Sequence, residues 1–364
     1  MHRVLLKVHL CVGLVAALFL MVLGVTGAAM AFENELNRLV NPSLLTVAPS
    51  PNHLAWEELR RRVETARPEW RVQRVYLPEA DNLSTYVRLE SRTDGHTDEI
   101  YLDQHTGAIL GQKSGGNQLL WKIHEIHVNL TAGKLGGQFV AASSVALLLL
   151  ALTGLCVWWP RKVFRFRFGV PPAGMNRDIH RALGFWSSLA MLAFAVTGTN
   201  LHIQTGGTLF DIMEDKSVAA SHPGHGLTAD GMIQAATEAV PAARVMRISF
   251  WPGTRPVLVQ MRFPEDKTPA GRTSVTLNPK TGEVLKVVSS RTAPWYYTAL
   301  VEWNREIHTG TIYGAPTKAI AGLFSLLPVV LGGTGIMIWL NKKLAAARGR
   351  KAAALRALEP HPVA

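Results

Sequence analysis

Apolar residues gather in four long runs, near 8–31, 139–159, 182–203 and 319–340, and polar residues fill the stretches between, chiefly about 32–120 and 204–300. Each run exceeds twenty residues, the length of helix that crosses ~30 Å of hydrocarbon. The pattern predicts four membrane-spanning helices with two large water-facing segments. Inside those segments the hydrophobic period changes. Leu54, Leu59 and Val63 recur at helical spacing up to Ala66, and strand-like runs follow near 71–77, 83–90 and 97–102. The second segment repeats the order: a helix over Ala229–Ala239, then runs near 243–250, 256–263 and 272–277.

The runs also pair off at fixed offsets. His9 is followed by Gly13 at +4 and Thr26-Gly27 at +17 and +18, and His180 by Gly184 and Thr197-Gly198 at the same offsets. Glu125-Ile126-His127 reappears as Glu306-Ile307-His308, with Thr-Gly at +26 (Thr153-Gly154, Thr334-Gly335) and Trp at +31 (Trp158, Trp339). The chain reads as two copies of span, polar segment, span. Each polar segment closes on a similar octet, Asp103-Gln104-His105-Thr106-Gly107-Ala108-Ile109-Leu110 and Asn278-Pro279-Lys280-Thr281-Gly282-Glu283-Val284-Leu285. Asp/Asn-x-x-Thr-Gly is a hairpin signal in which Gly supplies positive φ. Each segment is therefore expected to be a small α+β domain with an antiparallel sheet.

Charge fixes the orientation. The 364-residue chain is 48% hydrophobic and carries a formal charge of +12. Its cations crowd beside the spans: Arg3 and Lys7, then Arg161, Lys162, Arg165, Arg167 and Arg177, then Lys342, Lys343, Arg348, Arg350 and Lys351. This is the positive-inside pattern, which places both termini and the 160–180 loop in the cytoplasm and both polar segments on the far side. So distributed, the charge argues for a lipid bilayer and against nucleic acid as partner. The first run resembles a signal peptide ending at Gly27-Ala28-Ala29-Met30-Ala31, but its length, His9 and its match to the third run favour a retained helix. Cys11 and Cys156, the only cysteines, make neither a disulfide nor a metal motif and are read as small packing residues.

The histidines carry the chemistry. His180 and His202 lie 22 residues apart, about 33 Å along a helix and within about 40° in azimuth. A polar group at each end of a span is costly and usually functional. His9 and His180 mark the cytoplasmic side; His127, His308 and His202 mark the other, with His124 one turn before His127. Neutral imidazole suits haem iron, zinc or copper. The offsets pair His9 with His180, and Gly13 and Gly184 would let a flat macrocycle approach the backbone. On the far side His127 and His308 rank first, then His202, then His124. A lone helix-end histidine is otherwise a capping or interfacial residue. Gly133, Gly136, Gly137, Gly310 and Gly314 read as close-approach positions or as loop punctuation. Trp121, Trp158, Trp159, Trp303 and Trp339 read as an aromatic belt, with Trp303, Tyr296 and Tyr297 also placed to meet a substrate. Ser221-His222-Pro223-Gly224-His225-Gly226 is a weak metal motif without a carboxylate or cysteine partner.

A helix and strands ending in Asp-x-x-Thr-Gly-x-x-Leu resemble a PepSY domain. With four spans, His180-Arg181-Ala182-Leu183-Gly184 and the repeated Thr-Gly pairs, the chain from about residue 4 to 343 resembles the PepSY-associated transmembrane family. That resemblance implies a bacterial inner-membrane protein of four transmembrane helices in two pseudo-repeats with two α+β PepSY-like periplasmic domains. The segments would be 4–31 (helix 1), 32–120 (PepSY-like domain 1), 121–160 (interfacial segment and helix 2) and 161–179 (basic loop). Then come 180–203 (helix 3), 204–300 (PepSY-like domain 2), 301–341 (interfacial segment and helix 4) and 342–364 (basic tail). The family includes inner-membrane ferric-siderophore reductases, which implies haem b, two of them, with iron bound through His9 and His180 and through His127 and His308.

No Gly-x-Gly-x-x-Gly follows a strand, and no Walker A, His-Glu-x-x-His or Gly-x-Ser-x-Gly sequence occurs. Nicotinamide, ATP, zincin and serine-hydrolase chemistry have no recognisable site. Electrons would come from a membrane quinol or a cytoplasmic flavoprotein and pass to a periplasmic ferric siderophore, releasing Fe(II). Outer-sphere transfer of this kind requires no acid–base catalytic residue. Two alternatives stay open: a haem-free PepSY protein that binds peptides, aids assembly or regulates a protease, and a haem protein whose acceptor is copper, a sulfur compound or another periplasmic protein.

Overall fold

A computed structural model of the chain describes residues 2–113, 119–160, 162, 164, 167, 169–205, 228–251, 255–269 and 271–357. The motif at 221–226 lies outside the described residues, as do Arg161 and Arg165. The first half runs α1 (His2–Met30), α2 (Glu33–Val40), α3 (Pro42–Leu45), α4 (Trp56–Ala66), β1 (Trp70–Tyr76), β2 (Thr85–Ser91), β3 (Thr97–Leu102), β4 (Ile109–Gln112), α5 (Leu119–Asn129) and α6 (Gly133–Trp158). The second runs α7 (Pro172–Thr205), α8 (Ala229–Ala239), β5 (Arg244–Ser249), β6 (Val257–Arg262), β7 (Thr273–Leu277), β8 (Val284–Val288), α9 (Asn304–Thr309), α10 (Ala315–Ser325) and α11 (Leu327–Ala357). These elements form two compact units. One comprises Met1–Ala31, Ile123–His202 and Ala315–Ala364, the other Phe32–Lys122 and Ile203–Gly314.

The first unit is helical. Four stretches are long and apolar enough to cross a membrane: His2–Met30, Gly133–Trp158, Pro172–Ile203 and Ala315–Leu355. The last breaks between α10 and α11 at Leu326, two residues before Pro328, whose ring cannot continue the helical hydrogen-bond ladder. α1 packs against α6, α10 and α11. Large apolar side chains point away from the helix contacts, among them Val15 (76% exposed), Leu18 (69%) and Leu189 (79%). So much exposed hydrocarbon along helices that satisfy their own backbone is the signature of a lipid-facing surface. Cys11 and Cys156 are exposed there too, so they face outward instead of packing inside.

The second unit is built on one sheet. Its eight strands lie in the order β4-β3-β2-β1-β5-β6-β7-β8, antiparallel throughout. Alternation buries one face: Val87 and Leu89, Ile100 and Leu102, Val257, Val259 and Met261, Val275 and Leu277. α4 and α8 cover that face with Val63, Met232, Ala235 and Ala236. The octets make the hairpins as the sequence predicts. Gly107 N–H donates to the Asp103 carbonyl at 2.8 Å and Gly282 N–H to that of Asn278 at 2.9 Å, with φ of +76° and +71° at the two glycines.

Two features depart from the sequence reading. β4 and β8, the return strands of those hairpins, lie beyond the three predicted runs of each half; they are short, and β4 is poor in β-branched residues. The two halves also share a sheet. β1 would be an exposed edge of the first half and β5 of the second; pairing Arg74 with Ser249, Val75 with Ile248 and Tyr76 with Arg247 removes both edges. The covering helices are tied across the same seam. Asp230 accepts from the Trp56 and Glu57 N–H groups at 3.0 and 2.9 Å, and Glu57 accepts from Ala229 N–H at 2.8 Å. Each helix start is thus capped by a carboxylate of the other.

Candidate cofactor site

His9 stands on α1 and His180 on α7. The helical unit brings their half-buried rings to a centroid separation of 6.3 Å, with the planes at 82°. The spacing has a chemical meaning. Two imidazoles on opposite sides of one metal, each at about 2 Å from metal to nitrogen, place their ring centres about 6 Å apart. The spacing is compatible with two imidazoles holding one metal such as a haem iron, for which His9 and His180 would be the protein's ligands. Among the described residues no cage of three or more His, Cys, Asp or Glu side chains is gathered.

Each imidazole rests on a Thr-Gly pair of another helix. His9 Nδ1 lies 3.0 Å from Thr153 Oγ1 on α6, and His180 Nδ1 lies 2.9 Å from Thr334 Oγ1 on α11. The hydroxyls themselves donate back along their helices, Thr153 to the Leu149 carbonyl at 2.6 Å and Thr334 to that of Val330 at 2.7 Å. The neighbouring glycines make room. A Cβ on Gly154 would come within 3.2 Å of His9 Cε1, and one on Gly335 within 3.3 Å of His180 Cε1. Buried Asn176 braces the second seat, donating to the Thr334 carbonyl at 3.0 Å. Asp178 is held by Arg167 of the basic loop at 2.8 Å.

The same seat occurs at the other end of α1. His127, on α5, lies 3.0 Å from Thr26 Oγ1, which donates to the Val22 carbonyl at 2.8 Å. A Cβ on Gly27 would sit 3.0 Å from His127 Cε1. Burial, and then the neighbouring His124, push the His127 pKa down to about 4. His9 and Thr26 are 17 residues apart on α1, about 25 Å along the helix. The unit thus carries histidine seats at two depths.

The other predicted residues fall as follows. His124 lies on α5 one turn before His127, and exposed His202 stands near the end of α7, its Cε1 3.7 Å from where a Gly137 Cβ would be. His308 is half-buried on α9 in the sheet unit. Gly13 and Gly184 look onto Leu150 and Leu331 and serve helix packing. Gly136 lets the α5–α6 turn close, since a Cβ there would meet the Asn129 carbonyl at 1.7 Å; Gly310 and Gly314 take positive φ. Trp158 is not part of a lipid-facing belt. It is 7% exposed and stacks on Phe185 at 4.2 Å. Sequence reasoning found the Thr-Gly pairs as marks of repetition and missed their contact with the histidines. The available signal was that each pair follows a histidine at a fixed offset, +17 or +26, in both halves of the chain.

Four membrane-crossing helices carrying paired histidines, with an antiparallel α+β sheet, define a multi-pass membrane protein. Residues 6–342 match the family described as PepSY-associated TM region, and the chain belongs to that family. Comparison with curated proteins finds no match.

Proposed function

We propose that this protein is a haem-b-containing inner-membrane reductase that passes electrons across the bilayer to a periplasmic ferric chelate such as a siderophore. The observation that carries the reading is the 6.3 Å approach of His9 and His180, two imidazoles from separate spans that would hold one haem between them. A haem held by His9 and His180 would supply one-electron transfer there. His127 would serve a second haem on the far side, in surroundings that repeat those of the first pair, and the offsets give His308 the equivalent place in the second half. By the positive-inside pattern His9 and His180 would lie on the cytoplasmic side, where a quinol or flavoprotein would donate. The sheet unit would lie in the periplasm and dock the chelate. Fe(III) held by hard oxygen donors is released on gaining one electron, because Fe(II) binds such donors less well.

The test is a dithionite-reduced minus oxidised spectrum of the purified full chain with pyridine haemochrome quantification, followed by ferric-siderophore turnover. A b-type α-band that changes in His180→Ala is the expected result. Colourless protein from haem-replete cells sinks the proposal and leaves the haem-free peptide-binding or regulatory reading.

A further inference from the structure

Thr26, Thr153 and Thr334 stand in one relation to three histidines, and the hydrogen positions of that relation can be worked out. A threonine hydroxyl has one proton. Its oxygen lies 2.6–2.8 Å from a backbone carbonyl one turn earlier in all three cases. Two oxygens at that distance repel unless a proton lies between them, and the carbonyl has none to give. The hydroxyl proton therefore points to the carbonyl. The imidazole nitrogen 2.9–3.0 Å away must then be the donor, giving a directed chain from Nδ1–H to Oγ1–H to carbonyl oxygen. Nδ1 holds the ring proton, and Nε2 carries none.

Free imidazole in water mixes both neutral forms, so this choice is made by the seat. We infer that Thr153, Thr334 and Thr26 are positioning residues that fix His9, His180 and His127 as Nδ1–H tautomers, presenting Nε2 to a metal and raising its basicity. The inference rests on the haem reading above for the identity of the metal, while the tautomer stands on the hydrogen-bond geometry alone. A partner on the remote nitrogen orients a histidine ligand, and its loss typically costs about 10–100-fold in metal affinity. A more basic imidazole favours Fe(III), so the seat also holds the midpoint potential down. Each following glycine belongs to the device, because the ring edge lies where a side chain would begin.

The tautomer is read by nitrogen-15 NMR of the full chain, histidine-labelled, in detergent and prepared without haem; the single-histidine variants assign the signals. Wild type is expected to show Nδ1 protonated and Nε2 bare at His9 and His180. Thr153→Val should return only His9 to the mixed form, and Thr153→Ser should preserve it. In haem-loaded protein, the valine variant should weaken haem binding about 10–100-fold and raise the midpoint potential, with serine restoring both. An Nε2–H tautomer in wild type, or valine variants with unchanged NMR and unchanged potential, overturns the inference. If the protein never binds haem, the proposed function falls and the NMR measurement still decides the role of the threonines.

Discussion

The helical unit and the sheet unit spend their polar side chains differently. In the helical unit the hydroxyls of Thr26, Thr153 and Thr334 and the rings of His9, His127 and His180 are committed to one another across helices. In the sheet unit the ionisable groups serve the fold. Glu99 is bound by Lys113 and Arg88, Glu90 by Arg71, and Glu57 and Asp230 cap helices across the seam. Polar groups are costly at membrane depth, so the few that persist there are informative. In a water-facing sheet they are inexpensive, and most hold structure.

This contrast can be broken by variants that cross it. The largest effect is expected from His180→Ala, which should remove about half the bound haem if each pair of imidazoles holds one; haemochrome quantification reads the ratio. Combined with His127→Ala it should leave none, and retention of the full complement in the double variant would falsify the two-site reading. Next, Gly154→Ala places a methyl 3.2 Å from His9 Cε1, while Gly13→Ala meets Leu150 at 3.5 Å. The first should disturb the haem spectrum, at an overpacking cost of about 1–3 kcal/mol. The second should leave the spectrum unchanged, so equal spectral changes would remove the distinction between seat and packing glycine.

In the sheet unit the effects should be on stability alone. Burial by itself would raise the Glu99 pKa, but hydrogen bonds from Lys113, Tyr86 and Arg88 outweigh it and hold the carboxyl down at about 2. A carboxyl depressed on folding stabilises above its unfolded value and loses that contribution as pH falls through the folded one. Proteolysis of the sheet in urea should therefore show about 2–3 kcal/mol lost between pH 5 and pH 2, and Glu99→Gln should flatten that slope. Smallest is Asp230→Ala, which unties the caps on α4 and costs about 1 kcal/mol in the same assay. A shift of the haem spectrum in either variant would show that the sheet is not separate from the chemistry.

Much of this was legible in the chain. The four spans follow from run length, because lipid permits little besides an apolar helix. Both hairpins follow from Asp/Asn-x-x-Thr-Gly, a local signal whose geometry is set by Gly107 and Gly282. The approach of His9 to His180 was expected from depth and repetition. What sequence did not show was the set of partners chosen in three dimensions. Thr153 touches a histidine 144 residues away, and nothing local to a Thr-Gly pair in a helix announces this. The burial of Trp158 against Phe185 and the joining of β1 to β5 are also long-range choices, invisible to periodicity.

The joined sheet has a consequence for how the protein is made. Arg74 waits for Ser249, which follows it by 175 residues. At about 5–20 residues per second of synthesis the first half has its edge strand open for roughly ten to thirty-five seconds. During that interval β1 can pair with any strand that reaches it, including the same strand of a neighbouring nascent chain. Biogenesis of this protein therefore has a vulnerable period, and the interval between its two halves sets how long that period lasts.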